Sequence, residues 1–553
     1  MMNALKRRVI GLGYEHGDFV MLAILFISFR VMSVLFFRPG GYIRDYSDFI
    51  LYLGAAAVTD EGHWPFVNFW LEYPPLFPWL FTGLYRISLL IPPWIEDPRL
   101  WFYTLLSLVL VVFEAGNFVL VYATALLLGD RYHALRRTVF YALLFVPVYV
   151  LSTDFDTLPL FFMLLGLYLL LREWDSGSGI ALGIGFCLKI TPLILLPVAL
   201  RTLRTLRARI KHVIAAGLAI VVLSVPFLVL DAHLYLIPFR AALGRSSWET
   251  LWAALEGFFS YGAVGGDRFD RAVTDFTIHP GHLPWMWISV AFGLIYLFFY
   301  TRPADYRDKR KVLGLSLLTM TLFMLYSKGY SPQFLVYLLP LVVLYCPIPR
   351  GIAYALALSI LNYLEQPIYF VMFPEQHGFF VGIVVFRALL LIALGVEGAL
   401  ALFPAKDRVA WLWNRILAAL FIAFAAWGVC SAVILGRAYY DDHYRAETYR
   451  PAIAYLEEQA GARNAPGMLF TDPLAYRRVY PFLHDAVDLL VAQTSRPNWP
   501  AQLQEWVGAH PTFWLWRGEI TDPDLEAWLD KNTELVDSQV FDWGTLFTLT
   551  AQK

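Results

Sequence analysis

An all-α polytopic membrane protein with a small soluble α/β domain at its C-terminal end is the fold class this sequence predicts, on three observations. Of its 553 residues, 59% are hydrophobic and only 16% charged, whereas a soluble domain carries roughly 25% charge. Apolar runs of membrane-entering length follow one another from Asp18 to Leu435, with short polar turns between them. From Arg437 the pattern changes: Ala452–Ala460 and Asp524–Asp530 read as amphipathic helices, and Gly467–Phe470 and Phe513–Trp516 as strands. The expected division is a transmembrane module over 1–436 and an extracytoplasmic soluble domain over 437–553.

Lys6, Arg7 and Arg8 precede the first run, Asp18–Phe37, and no small-residue cleavage site follows it. The run therefore reads as a retained anchor with its N-terminal side in the cytoplasm, which puts the next loop, Arg38–Leu76, outside. In that loop Ser47 or Asp45 caps a helix running to about Asp60, with Gly62 just beyond its end. Asp48 then lies in the first turn, where the helix dipole favours its ionised form. Phe49, Tyr52, Leu53 and Ala56 form one apolar stripe, which suits an interfacial helix.

Leu76–Trp94 is bounded by prolines and, by parity with the basic turn Arg131–Arg137, reads as re-entrant or juxtamembrane, while Leu100–Leu128 crosses. Val139–Leu151 and Leu158–Leu171 leave Asp154-Phe155-Asp156 between them at the outer face. Two carboxylates at i and i+2 suit a metal, a substrate or a helix cap, and the spacing leaves these open. Gly179–Leu200 is broken at Lys189-Ile190-Thr191-Pro192 into halves too short to cross a core of about 30 Å, giving a hairpin with Lys189 near its tip. A lysine there is costly unless it meets an anion, for which a lipid phosphate is the candidate; snorkelling to the interface is the alternative.

Val213–Leu230 leads into a long loop, Asp231–Leu283, which holds Arg240, Arg245, Trp248, Glu249 and Trp252. A loop of that length is functional or disordered, and its aromatic content favours function. Pro284–Tyr300, Val312–Tyr326, Phe334–Cys346, Gly351–Phe373, Val381–Phe403 and Trp411–Leu435 complete the runs, with Lys328 and Gln333 in an outer turn. The expected total is about 11–13 transmembrane helices, with the C-terminal domain outside.

Several classes of function are excluded or unsupported. A net charge of −1 gives no case for nucleic acid. The three cysteines, Cys187, Cys346 and Cys430, each sit in an apolar run, so no disulfide framework or zinc spacing is present. No Walker, Rossmann or other Gly-rich phosphate loop occurs, which leaves nucleotide-driven chemistry without a site.

Tyr46-Ser47-Asp48 with Tyr52, Gly62 with Trp64-Pro65-Phe66, Glu72-Tyr73-Pro74-Pro75-Leu76, Lys189-Ile190-Thr191-Pro192 with Pro197, Arg245 with Glu249-Thr250-Leu251-Trp252, and Ser331-Pro332-Gln333 with Pro340 follow in that order. Together they resemble the GT-C superfamily of membrane glycosyltransferases, closest to the polyprenol-phosphate-mannose-dependent enzymes that include bacterial mannosyltransferases and the catalytic subunit of GPI mannosyltransferase I. The resemblance spans roughly Asp18–Phe403 and departs from the family at Trp64-Pro65-Phe66, where Gly-x-x-Pro-Tyr is usual.

The resemblance implies a GT-C fold and a catalytic base at Asp48, with no metal and no other cofactor. Substrate contacts are expected from Asp45, Glu72, Tyr73, Asp154, Asp156, Lys189, Arg245, Glu249, Lys328 and Gln333. The donor is a polyprenyl-phosphate sugar, mannose favoured, the acceptor is a lipid or glycan hydroxyl, and membrane lipids surround both. Asp48 takes the acceptor proton as the hydroxyl attacks the anomeric carbon with inversion, and Lys189, Arg245 and Lys328 stabilise the departing phosphate. A lipid-linked glycan ligase and a lipid or sugar transporter (flippase) are the competing readings. The hydropathy pattern shows no internal repeat of the kind transporters carry, and the acids gather at one face.

Positive turns and span parity put residues 437–553 outside the cell. A cysteine replacing Ser538 is expected to react with an impermeant thiol reagent in intact cells; protection there, with labelling at Ser176, overturns that topology.

Overall fold

The computed structural model describes the chain apart from residues 1–14, 37–47, 93–98, 263, 265–266, 274, 404–406, 441–449, 463–466, 472, 484–485, 493–498, 518–522, 542–543 and 553. The chain divides into two compact units, Met1–Ala425 and Ala426–Lys553. The first is helical, with several apolar segments suited to a membrane, and the second carries a small sheet, as the composition predicts.

The first unit runs through α1 (Gly17–Phe36), α2 (Phe49–Ala57), α3 (Leu76–Ser88), α4 (Arg99–Leu126), α5 (Arg131–Ala142), α6 (Val146–Thr153), α7 (Thr157–Leu171), α8 (Asp175–Leu188), α9 (Leu196–Thr202) and α10 (Leu206–Gly244). It continues through α11 (Leu251–Leu255), α12 (Trp285–Tyr300), α13 (Lys309–Tyr326), α14 (Leu335–Tyr345), α15 (Ile348–Tyr363), α16 (His377–Leu400) and α17 (Asp407–Tyr440), which runs on into the second unit. Among the described residues, five helices are long and apolar enough to cross a membrane, and six if α5 and α6 count as one bent span. Other apolar helices, including α7, α8 and α12, have 10–17 residues, so the expected total of about 11–13 counts segments that fall short of a full crossing.

Three local differences from the expected layout have clear causes. The basic stretch at Arg131 is the start of a helix rather than a turn, because Asp130 caps it by accepting from the His133 amide at 2.7 Å. Pro147 stands in the first turn of α6, and α5 and α6 meet there at 48°. The long loop expected from Asp231 begins as helix, because α10 breaks only at Asp231 (φ −160°, ψ 97°). The carboxylate of Asp231 then accepts from the amides of His233 and Leu234, at 3.0 Å each, and restarts the helix as far as Gly244.

The break expected at Lys189 is present. α8 ends with Lys189 in extended geometry (φ −160°, ψ 146°), and the 3₁₀ turn Thr191–Leu195 and α9 come after it. Pro192 lacks the N–H that would continue α8, and its ring excludes the carbonyl four residues back. Asp175 at the start of α8 and Thr202 at the end of α9 line the same cavity, so the two half-helices form a hairpin with Lys189 at the other end. Glycines let α8 lie close to α10: a Cβ on Gly179 would fall on the His212 carbonyl, and one on Gly183 would stand 2.6 Å from that of Ala216.

The second unit holds a five-stranded sheet in the order β2-β1-β3-β5-β4, with β1 at Gly467–Phe470, β2 at Leu489–Val491, β3 at Thr512–Arg517, β4 at Thr533–Phe541 and β5 at Gly544–Ala551. β2, β1 and β3 are parallel, and β5 and β4 are antiparallel to their neighbours. Side chains alternate between two cores, as the strand period requires. Met468, Phe470, Trp514 and Trp516 pack with Leu456 and Val479, whereas Leu469, Phe513 and Leu515 pack with Leu503, Val507, Leu525 and Leu529. Helices therefore cover both faces: α18 (Arg450–Ala462) and α19 (Pro473–Leu483) on one, α20 (Trp499–Ala509) and α21 (Pro523–Asn532) on the other.

The close approach of α8 to α10 sets where Lys189 stands, and Gly179 and Gly183 are the two glycines that permit it. Gly183→Ala forces a methyl against the Ala216 carbonyl and is expected to cost about 1–3 kcal/mol by overpacking, read as a lower thermal unfolding midpoint in detergent. Gly217→Ala, where a Cβ meets nothing within 4 Å, is expected to leave the midpoint unchanged or raise it.

Candidate active site

Asp48 itself occupies the N-cap position of α2, where the sequence suggests Ser47 or Asp45, and its side chain makes no capping bond. Instead its Oδ2 accepts from the Tyr73 hydroxyl at 2.9 Å and from the Tyr52 hydroxyl at 3.3 Å. Its amide donates to the Thr153 carbonyl at 3.0 Å, which fastens the start of α2 to the end of α6. Phe49, Tyr52, Phe77, Phe81 and Phe155 form a buried aromatic shell there. Desolvation in that shell raises the Asp48 pKa above the ordinary carboxylate range; the Tyr73 hydroxyl and the Lys189 ammonium pull it back, and Asp156 pushes it up. The helix dipole expected to keep Asp48 ionised is outweighed by this burial.

The carboxylate pair Asp154 and Asp156 lies beside Asp48. Asp156 is fully buried at the N-cap position of α7, and its Oδ1 accepts from Lys189 Nζ at 2.6 Å and from the Tyr337 hydroxyl at 2.6 Å. Lys189 also lies between two rings, 5.2 Å from the centre of Phe155 and 4.7 Å from that of Phe334. An ammonium has three donors, so two remain for an anion. Asp154 is buried, and desolvation together with the charges of Asp48 and Asp156 holds it well above the usual carboxylate range. Among the described residues, no group of three or more His, Cys, Asp or Glu side chains is arranged as a metal site.

A third group stands on the far side of Tyr73. Glu72 pairs with Arg268, whose guanidinium lies 4.4 Å from the centre of the Trp70 ring. The same segment returns over the 64–73 loop, since the Trp70 amide donates to the Arg268 carbonyl and the Trp70 indole to that of Asp270, both at 3.1 Å. Arg245 stacks on Trp248 at 4.0 Å, and its charge acts on Glu72, Tyr73 and Glu249. Glu249 is buried, and desolvation with the neighbouring Glu365 carboxylate holds its pKa well above the ordinary value.

The structure thus brings together Asp48, Tyr73, Asp154, Asp156 and Lys189, with Glu72, Arg245 and Glu249 adjoining. Asp45 lies outside the described residues. Lys328 Nζ donates to the Leu243 carbonyl at 3.1 Å and lies 5.3 Å from the centre of the Trp285 ring, so its contacts are with the 243–285 segment rather than with Asp48 or Asp156. Gln333 is partly exposed in the 3₁₀ turn Pro332–Phe334, next to the ring that meets Lys189. Tyr337 and Arg268 escape a reading of the sequence, having no motif of their own. Glu365 and Arg387 carry a legible signal, as charges within apolar runs.

The family model of glycosyltransferase family 87 matches residues 70–327. That match supports a glycosyltransferase. It takes in Glu72, Tyr73, Asp154, Asp156, Lys189, Arg245 and Glu249, while Asp48 precedes it. No curated protein matches the chain. Among solved structures, ArnT from Cupriavidus metallidurans bound to undecaprenyl phosphate is similar at 12% identity and a TM-score of 0.36, over 95% of this chain and 97% of that one. The apo oligosaccharyltransferase of Archaeoglobus fulgidus is similar at 10% identity and a TM-score of 0.35, over 84% of this chain but only 64% of that one. Scores this low carry no argument, and the weight falls on the family match, the apolar helices and the site.

The contact with Asp156 sets the effect of a substitution at Lys189. Lys189→Met leaves a buried carboxylate without its counter-charge, which typically costs about 3–5 kcal/mol. The expected result is a lower unfolding midpoint, with a smaller loss in Lys189→Arg.

Proposed function

We propose that the protein is an integral-membrane glycosyltransferase of the GT-C type that moves one sugar, mannose favoured, from a polyprenyl-phosphate donor to an extracytoplasmic acceptor hydroxyl with inversion. The observation that carries this reading is the setting of Asp48. Its Oδ2 is engaged by two tyrosine hydroxyls in an aromatic shell that raises its pKa, at a site shared with a half-buried lysine.

A carboxylate tuned upward is a better proton acceptor near neutral pH than one in its ordinary range. The Tyr73 and Tyr52 bonds orient it by one oxygen. As the acceptor oxygen bonds to the anomeric carbon, its proton passes to Asp48. The bond from that carbon to the phosphate oxygen breaks, and its electron pair leaves with the phosphate. Lys189 is placed to meet that charge with the donors not spent on Asp156, and Arg245 is the second cation within reach of this chemistry. The aromatic shell keeps bulk water from the reacting carbon, which favours transfer over hydrolysis.

Incubation of the purified protein with a panel of polyprenyl-phosphate sugars and with oligosaccharides on lipid pyrophosphate tests the reading. Consumption of one monophosphate sugar supports it; use of the pyrophosphate oligosaccharide alone replaces it with a ligase. Asp48→Asn is expected to fold, bind donor and lose about 10² to 10⁴ in rate. Transfer by the unaltered protein is expected to rise with pH through a pKa above the usual carboxylate range. Tyr73→Phe removes a donor that stabilises the charged form of Asp48, so its profile is expected to move to higher pH.

A further inference from the structure

Behind Glu249 lies a buried cluster on segments outside the family match. Arg387 stands near the middle of α16, a membrane-length apolar helix, and is 3% exposed. A charge in such a place requires partners, and Arg387 has three from three separate segments. Nη1 donates to Glu365 Oε2 in the π-helical stretch Leu364–Met372, and Nη2 donates to the main-chain oxygen of Glu249. The guanidinium also lies over the Tyr330 ring at 3.9 Å.

The Glu249 backbone is unusual. Its φ of 52° lies in the left-handed region, which costs energy for a glutamate and persists only where the surroundings enforce it. On one side, Trp248 pairs with Gly329: its amide donates to Lys328 O at 3.0 Å and its carbonyl accepts from Tyr330 N at 3.2 Å. On the other, Thr250 donates to the same Lys328 carbonyl at 3.1 Å and caps α11. The Glu249 carboxylate is itself buried, and its Oε2 has no hydrogen-bond partner among the described residues. A buried carboxylate oxygen left without a donor is suited to take a hydroxyl from a ligand.

The same guanidinium supports the lysine side of the site. Tyr330 donates to Asn362 Oδ1 at 3.2 Å, and the Asn362 amide donates to the Pro332 carbonyl at 2.6 Å. Two residues on, Phe334 covers Lys189.

We propose that Arg387, with Glu365 as counter-charge, is a positioning residue that holds Glu249 in its left-handed conformation so that the free carboxylate oxygen receives a hydroxyl of the acceptor. This deepens the glycosyltransferase reading and rests on it. The competing account is an ion pair that only joins α16 to the stretch before it, and the two give different outcomes when both charges are removed together.

The test is the double variant Arg387→Met/Glu365→Leu, which removes the buried ion pair as a whole and so is expected to lower the unfolding midpoint less than either single change. Transfer is expected to fall at least about tenfold in kcat/KM for the acceptor, with donor KM unchanged. A reporter independent of turnover is Ser247→Cys in a Cys430→Ser background, since Ser247 is fully buried, as are Cys187 and Cys346. Its thiol is expected to be protected in the parent and reactive in the double variant. A protected thiol and normal acceptor kinetics in the double variant overturn the proposal. If that variant fails to fold, Arg387→Lys replaces it: the charge stays, but one ammonium cannot reproduce the planar fork, and the same two readouts apply. If the unaltered protein consumes no donor in the panel, the glycosyltransferase reading falls, while the thiol still reports whether Arg387 holds the Glu249 turn.

Discussion

The ion pair between Lys189 and Asp156 is the constraint on which the arrangement of the helical unit depends. Lys189 closes α8 at the tip of a hairpin, and Asp156 opens α7, so the pair locks two helix ends that the chain separates by 33 residues. Tyr337 brings α14 to the same carboxylate, and Phe155 and Phe334 shield the ammonium. Taking two charges out of water is costly, and such pairs often contribute little to net stability. Its value here is geometric, because the Thr153 carbonyl at the end of α6 fixes Asp48 and the pair fixes Asp156 three residues on.

Around that point the polar groups adjoin one another. Asp48 joins Tyr73; Glu72 is next with Arg268; then come Arg245 and Glu249, with Arg387 behind. Each acid among them has a cation or a hydroxyl close by, which offsets like-charge repulsion where water is scarce. Arg268 and Asp270 are held by side-chain and main-chain bonds to Trp70 and Glu72, so this part of the 231–283 segment belongs to the site's wall.

Local signals are the legible ones. A lysine and a proline three residues apart interrupt an otherwise apolar run, so the hairpin can be read from Lys189-Ile190-Thr191-Pro192. Acids beside an apolar run stand out by composition alone, which identifies Asp48, Asp154 and Asp156. The C-terminal strands buried on both faces, Gly467–Phe470 and most of Thr512–Arg517, are continuously apolar and equally plain. The features that cannot be read depend on partners chosen by packing. Nothing near Tyr337 in the chain announces Asp156, and the residues of β4 look polar because most of that strand is exposed. Asp231 reads as the end of a helix although its side chain restarts one, because a cap and a stop look alike without the amides it accepts from.

The bond from the Trp70 indole to the Asp270 carbonyl joins residues 200 positions apart, and that separation bears on how the protein is made. At synthesis rates of about 5 to 20 residues per second, roughly 10 to 40 seconds pass between translation of the first residue and of the second. Throughout that interval the loop after Asp48 is in place without its cover, and the contacts of Arg387 form later still. The half-built chain therefore holds its carboxylates and aromatic side chains uncovered, and α16, made late, brings Arg387 to a site whose first residue, Asp48, was made near the start.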